Sequence, residues 1–331
     1  MCVLLASSLP VGAAAAPSGY VSVRMFGVDY VDSAALGRRF GLSAAWREPQ
    51  KTIRLSGRGT SIDLTVHSVE STLNGLTLFL SEPVVLRDGK LFLSRGDADD
   101  LFAPILTRNA GAPRSPVKTV VIDAGHGGND PGNQNRHLKL NEKTFTLDVA
   151  RRLQRLLKAQ GLHVVMTRTS DRAVDLDRRA EMTNKLGADL FISIHFNAFS
   201  GRDIAGTETY VMTPYRRQSS PQAERDKRMM TTKYPANRYD DWNAVLGFEV
   251  HRALIDVLKS TDRGLKRFRY SVLRSVNCPA VLVEAAFLSN DAEGRKVATA
   301  SYRQRIAQAI ATGVRQHVAQ RKRAKPKKSR R

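Results

Sequence analysis

The chain has 331 residues, and 42% of them are hydrophobic, which excludes a disordered protein and allows one large domain or two ordinary ones. Its two cysteines are too few for a disulfide framework or for a metal site made of several thiolates. The formal net charge of +22 at pH 7 predicts an anionic partner, which could be a polymer, a cell envelope or a nucleic acid.

Residues 1–16, MCVLLASSLPVGAAAA, have the apolar run and small-residue end of a secretory signal peptide. The first basic residue is Arg24, so the signal is either degenerate or begins upstream. Pro10 and Gly12 interrupt the run, and no other run is long enough to cross a bilayer. We therefore expect export to the periplasm or cell envelope, without a transmembrane span.

Residues 20–107 predict a small α+β module of short strands, a hairpin at Asn74-Gly75 and a helix over 32–42. This segment contains no cluster of catalytic residue types, so we expect it to serve in targeting or substrate binding. Residues 108–117 are rich in Pro, Gly and Arg and predict a linker.

From residue 118 to residue 320, apolar strand-like runs alternate with amphipathic helical patterns. This alternation predicts an α/β domain with a mixed, mostly parallel sheet flanked by helices. The charged segment 214–241 interrupts the alternation and predicts a long surface loop. The predicted strands are 119–123, 162–167, 189–196, 207–213 and 280–287, and the predicted helices are 142–160, 176–186, 242–260 and 302–320.

Four polar residues interrupt this pattern where the strands end and the first helix begins. His126 follows the first strand within the Gly-rich sequence AGHGG, and Glu142 opens the first helix. His195 and Glu284 lie near the ends of two later apolar strands. Because parallel strands end at one edge of a sheet, we expect all four side chains to meet there.

Two histidines and one carboxylate form the ligand set of a hydrolytic zinc site that keeps its fourth position for water. His126, Glu142 and His195 fit these ligands, and Glu284 fits a general acid-base residue. Each residue alone also has a structural interpretation, such as a core histidine or a charge at a helix N-terminus. Glu284 is the hardest to explain structurally, because an unpaired carboxylate in an apolar strand costs several kcal/mol.

Seven ordered segments resemble the zinc-dependent N-acetylmuramoyl-L-alanine amidases of bacterial peptidoglycan. The resemblance covers about residues 118–318 and implies that His126, Glu142 and His195 bind Zn²⁺ and that Glu284 is catalytic. It also implies hydrolysis of the amide between N-acetylmuramic acid and L-alanine, in cell-wall remodelling or cell separation. The segments are VVIDAGHGGNDPGN, NEKTFTLDVARRL, TRTSDRAVDLDRRAEMTN, ADLFISIHFNA, GTETYV, DRGLKRFRYSVLR and PAVLVEAAFLSN.

The sequence also departs from the family. Ala124 stands where the family usually has proline, and segment 214–241 is longer than in compact members. Some relatives carry an autoinhibitory helix there, so Glu224 or Asp226 could occupy the metal, although a plain loop is favoured. Residues 20–107 resemble the N-terminal-like domain of copper amine oxidases, but His67 is their only histidine, which argues against copper.

Three further residues near the same sheet edge are candidates for supporting roles. Asp123 is expected either to orient His126 or to cap the turn. Arg168 and Asn197 are expected either to support the ligand residues from behind or to contact the substrate. His137 is interpreted as a substrate or solvent contact rather than a ligand. Three other histidines, on a strand or helices, are interpreted as structural: His163, His251 and His317.

The last eleven residues, 321–331, hold eight positive charges and predict a disordered tail that binds anionic envelope polymers. Peptidoglycan is the predicted substrate, and the need for a protein activator stays open. Two alternatives also stay open: a zinc hydrolase of the same architecture that acts on another envelope amide or peptide, and an inactive envelope-binding protein. The basic residues lack interleaved aromatics, so a specific nucleic-acid partner is not expected.

Overall fold

A computed structural model describes residues 20–107, 116–220 and 227–323. The chain divides into two compact units, Met1–Thr107 and Arg108–Arg331. Residues 1–16 and most of the predicted linker lie outside the described residues, as do Glu224 and Asp226. Within the described part of the chain, no helix is both long and apolar enough to cross a membrane.

The first unit consists of antiparallel strands and short helices. One sheet has the order β1-β2-β9-β8, and β3 to β7 form an antiparallel meander. Asp32 caps α1, and its side chain accepts a hydrogen bond from Ala34 N at 2.9 Å. The strands are β1 (Ser22–Met25), β2 (Val28–Asp32), β3 (Ser43–Glu48), β4 (Thr52–Gly57), β5 (Thr60–Thr65), β6 (Glu70–Leu73), β7 (Leu76–Phe79), β8 (Val85–Arg87) and β9 (Lys90–Ser94), and the helices are α1 (Ser33–Arg39), α2 (Arg95–Asp97) and α3 (Ala103–Thr107), with a π-helical turn over Ala98–Phe102.

The second unit is built on six strands in the order β13-β10-β14-β17-β15-β16. Strands β13, β10, β14 and β17 are parallel, and β15 and β16 run in the opposite direction. This arrangement confirms the predicted mixed α/β class. The strands are β10 (Thr119–Ala124), β13 (His163–Met166), β14 (Leu190–Asn197), β15 (Thr207–Val211), β16 (Asp262–Arg267) and β17 (Ala280–Phe287), and Gln134–Asn135 (β11) pairs with Leu140–Asn141 (β12) in a small hairpin.

Helices cover this sheet. Helix α10 packs on α4 and α7, and α4 and α7 in turn contact the strands. The segment predicted as a plain loop over 214–241 contains a short helix, a 3₁₀ turn over Pro235–Tyr239 and the start of α7. The helices are α4 (Glu142–Ala159), α5 (Leu176–Lys185), α6 (Lys227–Thr231), α7 (Asp240–Leu258), α8 (Ser271–Arg274), α9 (Asp291–Ala298) and α10 (Ala300–Arg323).

The first residues of the predicted disordered tail are helical, which corrects that prediction. Helix α10 continues to Arg323, and the buried Arg321 donates a hydrogen bond to Asp189 O at 3.2 Å. The Arg321 guanidinium also lies 5.7 Å from the ring centre of Trp242. Residues 324–331 lie outside the described part of the chain.

Candidate metal centre and active site

The Gly-rich loop after β10 brings the backbone close to the predicted ligands. His126 has a φ of +61°, a left-handed conformation that this turn requires. A Cβ added at Gly125 would lie 2.3 Å from the His195 ring, and one at Gly132 would lie 2.6 Å from both Glu142 and His126. Glycine is therefore needed at both positions because the ligand side chains occupy the space of a Cβ.

Glu142 is fully buried at the start of α4, where its carboxylate faces both histidines. Its Oε2 lies 3.1 Å from His126 Nε2, and its Oε1 lies 3.0 Å from His195 Nδ1. Backbone N–H groups of Asn133 and Phe196 donate to Oε2 and Oε1 at 2.7 and 2.9 Å. Burial opposes ionisation, but the hydrogen bonds from the two histidines outweigh it and lower the pKa of Glu142 to about 2.

His126, Glu142 and His195 therefore form one cluster. One ligand atom from each residue lies within 4.8 Å of the others, and the two rings meet edge to face with centroids 4.9 Å apart. Two imidazoles and a buried carboxylate are the donor set of a divalent metal such as Zn²⁺. The residues present fit a metal ion, because the anionic carboxylate and the ring nitrogens converge on one small space.

Asp130 fixes the orientation of His126. Its Oδ2 lies 2.7 Å from His126 Nδ1, and its Oδ1 accepts a hydrogen bond from Gly132 N at 3.0 Å. A carboxylate on Nδ1 leaves Nε2 to face the cluster. Asp130 was not predicted, although an acidic residue four positions after the histidine, in the same Gly-rich turn, indicates such a partner.

Glu284 lies on β17, directly opposite His195 of β14 and Glu208 of β15 in the strand register. Its side chain is half-buried, and its Oε2 is shielded from solvent without a hydrogen-bond partner in the described structure. Burial, with smaller contributions from the carboxylates of Glu142 and Glu208, raises the pKa of Glu284 well above its usual range. A carboxyl group with a raised pKa is a stronger base than a solvated one and is suited to acid-base chemistry.

A second buried carboxylate lies beside Glu284. Glu208 Oε1 accepts hydrogen bonds from Lys266 Nζ at 2.7 Å and Arg263 Nε at 3.0 Å. Its Oε2 accepts from Tyr210 Oη at 2.7 Å and from Asn197 Nδ2 at 3.0 Å. Glu208 was not predicted, although a carboxylate within the buried strand TETYV resembles the signal that identified Glu284.

Asp123 does not orient the His126 ring directly, which corrects that expectation. Its carboxylate accepts hydrogen bonds from Thr167 Oγ1, Ser193 Oγ and Arg179 Nη1 at 2.6–2.8 Å. Arg179 Nη2 then donates to the His126 carbonyl at 3.0 Å. Asp123 thus supports the loop through the Arg179 guanidinium rather than by contact with the ring.

Arg168 and Asn197 are also turned inward. Of the two alternatives, the structure contradicts substrate contact for Arg168 and agrees with a supporting role. Arg168 is fully buried and donates to the carbonyl groups of Ala124, Gly125 and Lys143 at 2.8–2.9 Å. No part of its side chain is exposed to a substrate. Asn197 binds Glu208, and its Oδ1 accepts a hydrogen bond from the backbone of the next residue at 2.8 Å.

The remaining histidines lie apart from the cluster. His137 is exposed, with Nδ1 2.9 Å from Asp291 Oδ2, and His163 is exposed on β13. His251 is buried between Thr209 and Asp262, and His317 is buried against Trp242. His251 and His317 are therefore core residues.

The fold and the site together define a mixed α/β protein with a cluster that could hold a metal ion. Residues 120–316 match the N-acetylmuramoyl-L-alanine amidase family (Amidase_3). The chain belongs to this family.

Individual relatives agree with this membership. The chain is 29% identical over 266 residues to the N-acetylmuramoyl-L-alanine amidase AmiA of Escherichia coli, with 74% of this chain and 89% of AmiA covered. It is 33% identical over 199 residues to a sporulation-specific N-acetylmuramoyl-L-alanine amidase of Bacillus subtilis, with 60% and 67% covered. It is also 33% identical to an uncharacterized cell wall amidase of Bacillus anthracis, covering 60% of this chain but only 35% of that protein.

Solved structures show the same fold. The catalytic domain of CwlV, an amidase from Bacillus (Paenibacillus) polymyxa var. colistinus, has a TM-score of 0.51 and 31% identity, with 61% of this chain and 99% of that chain covered. An N-acetylmuramoyl-L-alanine amidase from Clostridium difficile 630 has a TM-score of 0.51 and 30% identity, with 62% and 98% covered.

Proposed function

We propose that the protein is a zinc-dependent N-acetylmuramoyl-L-alanine amidase that hydrolyses the amide between N-acetylmuramic acid and L-alanine in peptidoglycan. The observation that carries the proposal is the convergence of His126, Glu142 and His195 beside Glu284 in a chain of this family. A carboxylate and two imidazoles give zinc three protein ligands and leave a position open for substrate or water.

When bound, zinc supplies Lewis-acid chemistry, because it polarises a carbonyl group and lowers the pKa of water toward neutrality. Asp130 would keep His126 in one orientation throughout the reaction. The backbone bonds from Asn133 and Phe196 would do the same for Glu142.

Glu284 would transfer the proton that amide hydrolysis requires. It would accept the proton of the attacking water and deliver it to the nitrogen of L-alanine as the C–N bond breaks. The raised pKa of Glu284 makes it a stronger base than a solvated carboxylate and allows it to hold the proton until the amine leaves. Glu208, opposite Glu284, contributes to that raised pKa.

We also propose that the protein acts in the cell envelope, after export directed by residues 1–16. Relatives named cell wall amidases support this location. The first unit, residues 20–107, would bind or target the substrate, as its resemblance to the copper amine oxidase N-terminal-like domain suggests. Activation by a further protein is compatible with this function.

The test combines metal analysis with mass spectrometry of digested peptidoglycan. The purified protein should bind one zinc ion per chain and release intact L-alanyl peptides from glycan strands. His195→Ala should lose both the metal and the activity, and replacing the exposed His163 with Ala should change neither.

Cleavage within the stem peptide, or of an acetyl group, would instead indicate a zinc hydrolase that acts on another envelope amide. A protein that binds sacculi but neither holds zinc nor cleaves them would be an envelope-binding protein. Either result would overturn the proposed activity.

A further inference from the structure

An open groove of 460 Å³ lies on the second unit between the end of α7, the end of α9 and the start of α10. It is lined by one apolar residue, three cations and three hydroxyl side chains: Leu258, Arg295, Lys296, Arg305, Thr299, Ser301 and Tyr302. None of the predicted ligands or acid-base residues lines it. The groove is therefore separate from the candidate metal centre.

The three cations of the groove have no carboxylate ion pair within the described part of the chain. Arg305 donates a hydrogen bond to the backbone carbonyl of Val257 only. Glu293 interacts electrostatically with Lys296 but forms no ion pair with it. Its carboxylate instead accepts hydrogen bonds from the backbone N–H groups of Gly206 and Phe287 at 3.1 and 2.7 Å. The positive charge of the groove is thus not neutralised by an ion pair.

Tyr302 gives the second, independent indication of a ligand. The residue is only 7% exposed and lines the groove, yet its hydroxyl makes no hydrogen bond to the described residues. Burial raises the pKa of Tyr302 to about 12, so the hydroxyl remains a donor at neutral pH. The ring is buried while solvent in the groove reaches the hydroxyl, so this donor is free to bind an acceptor there.

Helix geometry accounts for only part of this arrangement. Arg295 and Lys296 lie in the last turn of α9, where cations are favourable without any ligand. Thr299 caps α10, because its Oγ1 accepts a hydrogen bond from Tyr302 N at 3.3 Å. Neither effect requires Arg305 or the Tyr302 hydroxyl to face the same groove. The start of the 24-residue helix α10 adds N–H donors and a positive dipole end.

We infer that this groove binds a phosphate group through Arg295, Lys296, Arg305 and the hydroxyls of Tyr302 and Ser301. A tetrahedral dianion accepts hydrogen bonds on several sides, which suits guanidinium, ammonium and hydroxyl donors that converge from two helices. Phosphate occurs in the envelope both in anionic polymers and in lipid headgroups. The inference is independent of the proposed amidase activity.

The test is titration of the full-length, zinc-loaded protein with inorganic phosphate, followed by NMR at the guanidinium signals of Arg295 and Arg305. In the wild-type protein, the chemical shifts of these guanidinium signals should change and reach saturation as phosphate is added. The double variant Arg295→Ala/Lys296→Ala, followed at Arg305, should bind at least about tenfold more weakly. Tyr302→Phe should weaken binding about threefold without loss of stability, because the hydroxyl it removes has no partner.

The matched control is Arg155→Ala/Lys158→Ala, which removes two exposed cations near the end of α4. It should bind phosphate as wild type does. Absence of saturable shifts in wild type, or equal weakening in the control, would overturn the site.

Cosedimentation with long-chain polyphosphate and with phosphatidylglycerol vesicles then distinguishes the sources of phosphate. If the Arg295→Ala/Lys296→Ala variant binds one of these two phosphate carriers more weakly than the control variant does, the groove recognises that carrier. Unchanged binding of both carriers would overturn the inference.

Discussion

Glu284 is the residue whose chemistry depends most on its surroundings. It is opposite His195 and Glu208 in the sheet, and its Oε2 has no hydrogen-bond partner in the described structure. Glu284→Gln keeps the size of the side chain but cannot transfer a proton. We expect the variant to retain the metal and the fold while kcat/KM for muropeptide cleavage falls about 10²-fold or more.

Glu181→Gln on α5 is the control for this change, because Glu181 is exposed and pairs only with Arg178. It should leave the rate unchanged. A Glu284→Gln enzyme with a rate near that of wild type would remove Glu284 from the proposed mechanism.

The absence of a side chain at Gly125 leaves room for the imidazole ring of His195 beside Glu142. Gly125→Ala would put a methyl group 2.3 Å from the ring, which must then move away from Glu142. We expect zinc affinity to fall about 10- to 100-fold, as when support for a ligand is lost. Competition with a chelating dye measures this affinity.

Gly201→Ala is the matched control for this substitution. A Cβ at Gly201 would approach only the flexible end of Asp203 closely. Zinc affinity should be unchanged in this variant. Wild-type affinity in Gly125→Ala would show that the loop has room to relax.

At the level of the elements, helix α10 carries a buried histidine that makes stability depend on pH. His317 is fully buried, its two ring nitrogens have no hydrogen-bond partner in the described structure, and its ring meets Trp242 edge to face. Burial and the nearby charge of Arg321 lower the pKa of His317 to about 3. The folded protein therefore holds His317 neutral, whereas the unfolded chain protonates it below about pH 6.5.

The free energy of unfolding should therefore decrease as the pH is lowered from about 6.5 to about 3. This residue contributes about 1.4 kcal/mol of that decrease per pH unit. His317→Leu should remove that contribution, so its stability relative to wild type should rise as the pH falls from 7 to 5. Urea unfolding at several pH values, followed by Trp242 fluorescence in a Trp46→Phe background, measures the difference. His163→Gln, at an exposed site, should reproduce the wild-type slope. Parallel pH dependence of His317→Leu and wild type would contradict this assignment.

Elements with a regular apolar pattern could be predicted from the sequence, whereas an element whose charged residues are buried by distant partners could not. Strand β17 occupies the predicted residues 280–287, and α4 ends one residue before the predicted end, because both have regular apolar patterns. Strand β16, DRGLKR, was missed because four of its six residues are charged. Its Lys266 is buried only because Glu208 of the neighbouring strand pairs with it, and a single sequence does not reveal that contact.

The same reasoning explains which parts of the site could be predicted. Strand ends and a helix start placed His126, Glu142, His195 and Glu284 at one edge, and the structure brings them together. The role of Arg168 could not be predicted, because an arginine that binds backbone carbonyls and one that binds a substrate look alike in sequence. The two kinds of arginine differ in their long-range partners, and only the folded structure shows which partners are present.

For the whole molecule, the division at Thr107 predicts that chemistry and targeting can be separated. A chain that begins at Pro116 retains the six-stranded sheet and its helices. We expect it to fold, to hold zinc and to cleave soluble muropeptides at a rate within about twofold of the full chain, because compact units have their own cores. Its binding to intact sacculi should be weaker.

Circular dichroism and metal content are the controls for folding of the shortened chain. If the shortened chain is folded and zinc-loaded but inactive on soluble muropeptides, the first unit contributes to chemistry rather than to targeting alone.

The basic C-terminal residues also affect the whole molecule, because their charge influences how the protein binds an anionic surface. Arg321 is buried and packs near Trp242, so only the segment 324–331 can be removed without disturbing α10. This segment contributes five cations: Lys325, Lys327, Lys328, Arg330 and Arg331. We expect its removal to weaken binding to sacculi at low salt, while turnover of small soluble muropeptides stays unchanged.

Salt determines whether this effect is electrostatic. The Debye length falls from about 10 Å at 0.1 M to about 3 Å at 1 M, so the difference between the full and shortened chains should disappear at 1 M salt. A chain of full length with the five cations replaced by Gln should behave like the shortened one, because charge rather than length is responsible. Equal binding of all three proteins in cosedimentation with sacculi at low salt would mean that these residues serve solubility and not attachment.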